Sequence, residues 1–207
     1  QLKFLSMKKI KVLNLYACLG GNRYKWPSDL IEVTAVELDP ECIRLYKERF
    51  PNDTVIQADA HQYLLDNYKD VTGAFKFDFI WASPPCPTHS RARFWNSKGG
   101  GCAPVYPSMQ LYQEIIFLQS FCPPSLKWVV ENVIPYYTPL VAPTKKIGRH
   151  LYWSNFKMPN LKNLRTVKIS SAKNEVKVLS KFHEFDFYQY KGEQRRAKIA
   201  RNLVDYE

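Results

Sequence analysis

The sequence predicts an α/β fold: a doubly wound, mostly parallel sheet with a small basic C-terminal region. Three observations predict it. From Ile10 onward, short apolar runs alternate with amphipathic stretches, as when crossover helices join parallel strands. A length of 207 residues at 45% hydrophobic content suits one real core rather than two. Charge is divided unevenly, with 15 basic and 13 acidic side chains in residues 1–142 against 15 and 6 in residues 143–207.

The elements follow in order. Strands are expected at Lys11–Tyr16, Glu32–Glu37, Thr54–Gln57, Phe77–Ala82 and Lys127–Glu131. Helices are expected at Pro40–Phe50, Ala60–Asn67, Ser108–Phe121 and Glu193–Leu203. Pro40 opens its helix, where a missing N–H costs nothing. Beyond Asn155 the pattern weakens into β-like stretches at Thr166–Ile169 and Val176–Leu179 and an aromatic cluster of Phe182, Phe185, Phe187, Tyr188 and Tyr190. Met7 reads as a natural start, with the six residues before it as a remnant outside the fold.

Composition narrows the function. No apolar run reaches the length of a membrane span. Five cysteines without a C-x-x-C spacing argue against zinc or a disulfide framework, so no metal and a reducing, cytoplasmic setting are expected. A near-neutral body with a basic final third points to a polyanionic partner, most simply nucleic acid.

In doubly wound sheets ligands bind beyond the carboxyl ends of the strands, so the residues after each strand matter most. After the first come Tyr16, Leu19, Gly20 and Gly21, a glycine turn that lets a ligand approach the backbone. The second ends at Glu37, followed by Leu38, where nucleoside-binding folds place an acid for ribose hydroxyls. Asp59 and Ala60 follow the third, with Asp59 suited to an adenine amino group. No phosphate-binding glycine pattern is present, which favours a nucleoside without phosphates. After the fourth strand stands Ser83-Pro84-Pro85-Cys86-Pro87, a cysteine framed by prolines and a candidate nucleophile. The basic, glycine-rich stretch beyond it holds Ser90, Arg91, Arg93 and Lys98 and reads as a lid over a polyanion. The fifth strand ends in Glu131-Asn132-Val133. A carboxylate at the end of so apolar a strand is partly desolvated and suited to proton donation. His61, His89 and His183 are expected in surface or loop positions without special roles.

Taken in order, the glycine turn, Glu37, Asp59, Pro85-Cys86 and Glu131-Asn132-Val133 resemble the DNA cytosine-5 methyltransferases, and the wording around Trp81–Phe94 and Arg149–Phe156 resembles short phage-encoded members. The resemblance implies a Rossmann-like methyltransferase fold and S-adenosylmethionine as cofactor. Tyr16, Leu19, Gly20 and Gly21 would line its methionine end. Glu37 would bind the ribose, Leu38 would pack on the adenine, and Asp59 would take the amino group. Leu111 would pack behind the cofactor, and Asn202 would close the pocket. Cys86 would attack carbon 6 of a flipped-out cytosine in double-stranded DNA, Glu131 would act at N3, and Arg149, or His150 by register, would reach the cytosine O2. Residues 7–155 with 193–207 would form the catalytic unit, residues 156–192 a small target-recognition region, and the enzyme would act as a monomer.

The sequence departs from the family pattern at Asn14, where an acid is usual, and at Cys18, where the turn's first glycine is usual. Altered cofactor contacts are expected there. Two other functions compete. Ser83-Pro84-Pro85 also resembles the motif of amino-directed DNA methyltransferases, although Cys86 stands where those carry an aromatic residue. A catalytically silent DNA-binding relative is the other.

Overall fold

A computed structural model describes residues 8–72, 76–91, 105–160 and 174–202. Seven strands form one sheet in the order β3-β2-β1-β4-β5-β7-β6. The strands are β1 (Ile10–Leu15), β2 (Ile31–Glu37), β3 (Thr54–Gln57), β4 (Phe79–Ala82), β5 (Lys127–Val133), β6 (Lys145–Ile147) and β7 (His150–Ser154). The first five are parallel to their neighbours. β7 runs antiparallel to β5, and β6 antiparallel to β7. The five expected strands are all present within about two residues at each end, as is the doubly wound arrangement.

Six α-helices and a 3-10 helix at Phe187–Gln189 complete the described fold; the α-helices are α1 (Pro40–Arg49), α2 (Ala60–Asp66), α3 (Tyr68–Thr72), α4 (Gln110–Phe121), α5 (Glu175–His183) and α6 (Arg196–Asn202). Capping fixes where α1 and α2 begin. Asp39 accepts from the backbone N–H groups of Glu41 and Cys42, and Asp59 from that of Gln62. The main core lies on the sheet face covered by α2, α3 and α4, where Leu13, Leu15 and Ile80 meet Leu64, Leu111 and Ile115.

A second cluster joins the C-terminal segment to the front of the fold. Leu179, Phe187, Tyr190, Ile199 and Ala200 pack with Leu19, Cys42 and Leu45. Polar contacts add to it: Tyr190 donates to Asp39 at 2.8 Å, and the Arg49 guanidinium lies 4.7 Å from the centre of the Phe185 ring. Residues 174–192, expected to serve target recognition, thus pack on α1 beside the strand ends.

The structure corrects several expectations. Val176–Leu179 is helical rather than β-like. Glu175, Leu179 and His183 recur every four residues and form the buried face of α5, a spacing that only a helix turns to one side. The β6–β7 hairpin is absent from the sequence-based expectations. Its two-residue turn, Gly148-Arg149, has glycine in the left-handed region at φ 54°, as such turns require. His89 is only 1% exposed and His183 is buried, so neither is a surface residue. His89 is drawn inward because Cys86 starts a tight turn, in which the His89 and Ser90 N–H groups donate to the Cys86 carbonyl. Its ring then meets the Tyr137 hydroxyl at 2.6 Å. The β-like stretch Thr166–Ile169 lies outside the described residues.

Candidate active site

A cavity of about 750 Å³ opens at the carboxyl ends of β1, β2, β4 and β5 and is walled on its far side by α5 and α6. The position is the one a parallel sheet dictates, because its strand ends present loop backbone and helix N-termini together.

At one end, β1 runs into a turn of unusual backbone. Tyr16 (φ 60°) and Cys18 (φ 48°) are non-glycine residues in the left-handed region, and Gly20 (φ 71°) follows. Such conformations cost about 1–3 kcal/mol each and concentrate at functional sites. Cys18 therefore adopts a backbone conformation that favours glycine. Gly20 is needed for a second reason: a Cβ there would meet Phe50 at 2.4 Å and Tyr46 at 2.8 Å. Asn14 is fully buried and forms a reciprocal amide pair with Asn22, whose Nδ2 donates at 2.8 Å. Asn22 lines the cavity and Asn14 stands behind it as its partner.

Glu37 organises the adjoining wall. Its Oε2 accepts from the Cys18 N–H at 2.7 Å, and its Oε1 from the Leu38 and Asp39 N–H groups at 2.8 Å. Burial pushes its carboxyl up, while these three hydrogen bonds pull the other way. Oε2 keeps a lone pair for a hydroxyl group. Leu38, 60% exposed, stands at the mouth as an uncovered apolar surface, and Asp59 and Ala60 lie nearby. This donor and acceptor set fits an adenosine. Acceptors are ready for ribose hydroxyls and an amino group, and an aliphatic face is ready for a flat base.

Pro84, Pro85, Cys86 and Glu131 line the other end of the same cavity. Asn132 joins the two strands that carry them: its Nδ2 donates to the Pro84 carbonyl at 2.9 Å, and its Oδ1 accepts from the Val133 N–H at 2.9 Å. Burial pushes the Cys86 thiol up to about 11, the Glu131 carboxylate adds to this, and the Lys198 ammonium opposes it. Cys86 is not part of a disulfide.

Arg149 and His150 both reach the cavity from the β6–β7 hairpin. His150 pairs with Glu131, its Nε2 lying 3.6 Å from Oε1, whereas Arg149 stands at the turn tip. Of the other residues singled out, Tyr16 and Gly21 line the cavity, while Leu19, Gly20 and Leu111 lie behind it. Leu19 is buried against α1 and α5, and Leu111 in the main core. Arg91 donates through Nε to the Pro135 carbonyl at 2.9 Å, and Ser90 pairs with Pro135. Arg93 and Lys98 lie outside the described residues, as does the Asn202 side chain. Sequence reasoning did not place Phe182, His183 and Lys198 at the site; α5 and α6 bring them to the cavity. Among the described residues, no group of three or more His, Cys, Asp or Glu could hold a metal ion, and no helix is long and apolar enough to cross a membrane.

No curated protein matches the sequence. Solved structures similar to it include a SAM-dependent methyltransferase of Agrobacterium tumefaciens (18% identity, 64% of this chain and 41% of that chain, TM-score 0.46). A hypothetical protein of Thermus thermophilus is also similar (17% identity, 70% and 74%, TM-score 0.47). So is a mutant of Spodoptera frugiperda DNMT2 (22% identity, 60% and 36%, TM-score 0.39). The chain spans less than half the length of the first and third. Residues 10–103 match the family model of the C-5 cytosine-specific DNA methylase, a family that uses S-adenosylmethionine. That stretch runs from β1 through the glycine turn, Glu37 and Asp59 to Cys86 and beyond. Over residues 10–103, just under half of its length, the chain is thus similar to the C-5 cytosine-specific DNA methylases.

Proposed function

We propose that this chain transfers a methyl group from S-adenosylmethionine to carbon 5 of cytosine in double-stranded DNA. The observation that carries the reading is a single cavity that joins a nucleoside-type wall, Glu37, Leu38 and Asp59, to Cys86 and Glu131. When bound, S-adenosylmethionine supplies an electrophilic methyl group. The chain's own residues do the rest.

Glu37 accepts the ribose hydroxyls, Leu38 covers one face of the adenine, and Asp59 accepts from its amino group. Carbon 5 of cytosine is a poor nucleophile, so the base itself must be activated. The Cys86 sulfur attacks carbon 6, and the carbon 5–carbon 6 electrons shift to make carbon 5 enamine-like. Glu131 meets the charge that develops at N3, with His150 at 3.6 Å fixing its carboxyl. Arg149, at the hairpin tip, reaches the cytosine O2. After methyl transfer the carbon 5 proton leaves, the double bond re-forms, and Cys86 departs as thiolate. Burial pushes the Cys86 thiol up, so the thiol gives up its proton to solvent before the sulfur attacks carbon 6. Entry requires the cytosine to leave the duplex stack. In this reading the basic residues of the chain take the charge of the DNA backbone, and one monomer serves one base.

Duplex DNA containing 5-fluorocytosine tests the chemistry. Fluorine cannot leave as a proton does, so the Cys86–carbon 6 adduct persists. A denaturation-resistant protein–DNA complex is expected with wild type plus S-adenosylmethionine, and none with Cys86→Ala. Methylation without a trapped complex would favour an amino-directed enzyme instead.

A further inference from the structure

Glu114 is a buried carboxyl in the described core with one oxygen that has no hydrogen-bond partner. It sits on α4 with its side chain 0% exposed, and its Oε2 is buried without a hydrogen-bond partner. Its Oε1 accepts a short hydrogen bond from the Tyr16 hydroxyl and faces His61 Nδ1 at 3.2 Å. A carboxyl taken out of water with one oxygen unpaired works against folding, and an apolar side chain of similar volume would pack there at less cost. Where a residue opposes stability, the compensating gain is sought in function.

Tyr16 supplies that gain. It is the strained residue that ends β1, at φ 60°, and it lines the cavity. The backbone there would relax, and the ring would swing away, unless something held its far end. Glu114 does so from behind the wall, and His61, the residue after Asp59 and Ala60, braces the carboxyl from the side.

We infer that Glu114 is a positioning residue for the cofactor site: it anchors the Tyr16 hydroxyl so that the Tyr16 ring forms the wall against which the methionine end of the cofactor lies. The inference rests on the proposal that this cavity binds S-adenosylmethionine. Burial, which favours the neutral carboxyl, is consistent with the contact being retained when glutamine replaces glutamate.

The test measures S-adenosylmethionine binding by titration calorimetry and thermal unfolding for wild type, Glu114→Met, Glu114→Gln, Tyr16→Phe and the Glu114→Met/Tyr16→Phe double variant. Glu114→Met is expected to weaken binding about tenfold while its unfolding temperature stays level or rises, a combination that general damage to the fold does not produce. Glu114→Gln keeps an acceptor for Tyr16 and is expected to bind within about twofold of wild type. Tyr16→Phe is expected to weaken binding as much as Glu114→Met does, and the double variant no further. Unchanged binding in Glu114→Met, or weaker binding with a proportionate loss of stability, overturns the inference. So does full additivity in the double variant. Wild-type protein that binds no S-adenosylmethionine overturns the cofactor reading and this inference with it.

Discussion

Replacing Asn132 by alanine should disable the site by loosening the loop that carries Cys86. Asn132 is almost fully buried, and its amide spans two strand ends. Nδ2 holds the Pro84 carbonyl at 2.9 Å, and Oδ1 holds the Val133 N–H at 2.9 Å. The alanine variant loses both bonds, each worth about 1 kcal/mol net. It also leaves the Pro84 carbonyl facing a buried gap, at a further cost of about 1–3 kcal/mol. The total is roughly 3–5 kcal/mol if no water enters, and about 2 kcal/mol if one bridges the carbonyl. Asn132→Asp keeps the volume and the Val133 contact but turns an oxygen towards the Pro84 carbonyl, so it should destabilise at least as much. Urea denaturation measures both. Alongside it, the rate of methyl transfer should fall at least a hundredfold, about 2.7 kcal/mol, while S-adenosylmethionine affinity stays within about threefold, because Asn132 holds the cysteine end of the cavity. Stability changed by less than about 0.5 kcal/mol, or cofactor affinity falling in step with rate, would refute this account of Asn132.

Three further outcomes are expected. Gly20→Ala combines a left-handed φ with a contact of 2.4 Å to Phe50, so it should cost about 2–4 kcal/mol in urea denaturation; a loss below about 1 kcal/mol would show that the Phe50 ring yields freely. Alkylation of Cys86 by iodoacetamide, isolated by comparison with Cys86→Ser, should rise with pH to a midpoint at about 11 in the folded protein and at about 8.5–9 in urea, where the thiol ionises normally. The sign for stability follows: the unfolded thiol ionises first, so the contribution of Cys86 to stability is lost as pH climbs from about 9 to 11, and a folded-state plateau below pH 9 would contradict it. Binding to a mixed-sequence duplex should weaken steeply between about 50 and 200 mM salt if the basic C-terminal third meets phosphates, whereas a flat response would place the contact elsewhere.

The parallel half of the fold was legible because its signals are local. Apolar runs such as Val33–Val36 and a proline opening α1 each specify their element without distant partners. The residues after each strand could likewise be read as site residues, since sheet topology alone brings strand ends together. The rest depends on tertiary contacts that spacing does not encode. β6 has three residues, two of them lysines, and becomes a strand only by pairing with β7. Leu19 carries the right chemistry to line a pocket, yet it is buried against α1 and α5. Glu114 sits in the apolar run of α4 and gives no sign of its role, because its partners Tyr16 and His61 are 98 and 53 residues away. Lys198 reaches the cavity only because Ile199 and Ala200 anchor α6 beside α1.

The most direct test of the central claim is incubation with tritiated S-adenosylmethionine and mixed-sequence duplex DNA, followed by digestion and nucleoside analysis, with Cys86→Ala beside wild type. The account predicts label in 5-methylcytosine from wild type and none from the variant, with cofactor and DNA affinity preserved in both. Label in N4-methylcytosine or N6-methyladenine, or 5-methylcytosine made equally well without Cys86, would contradict it.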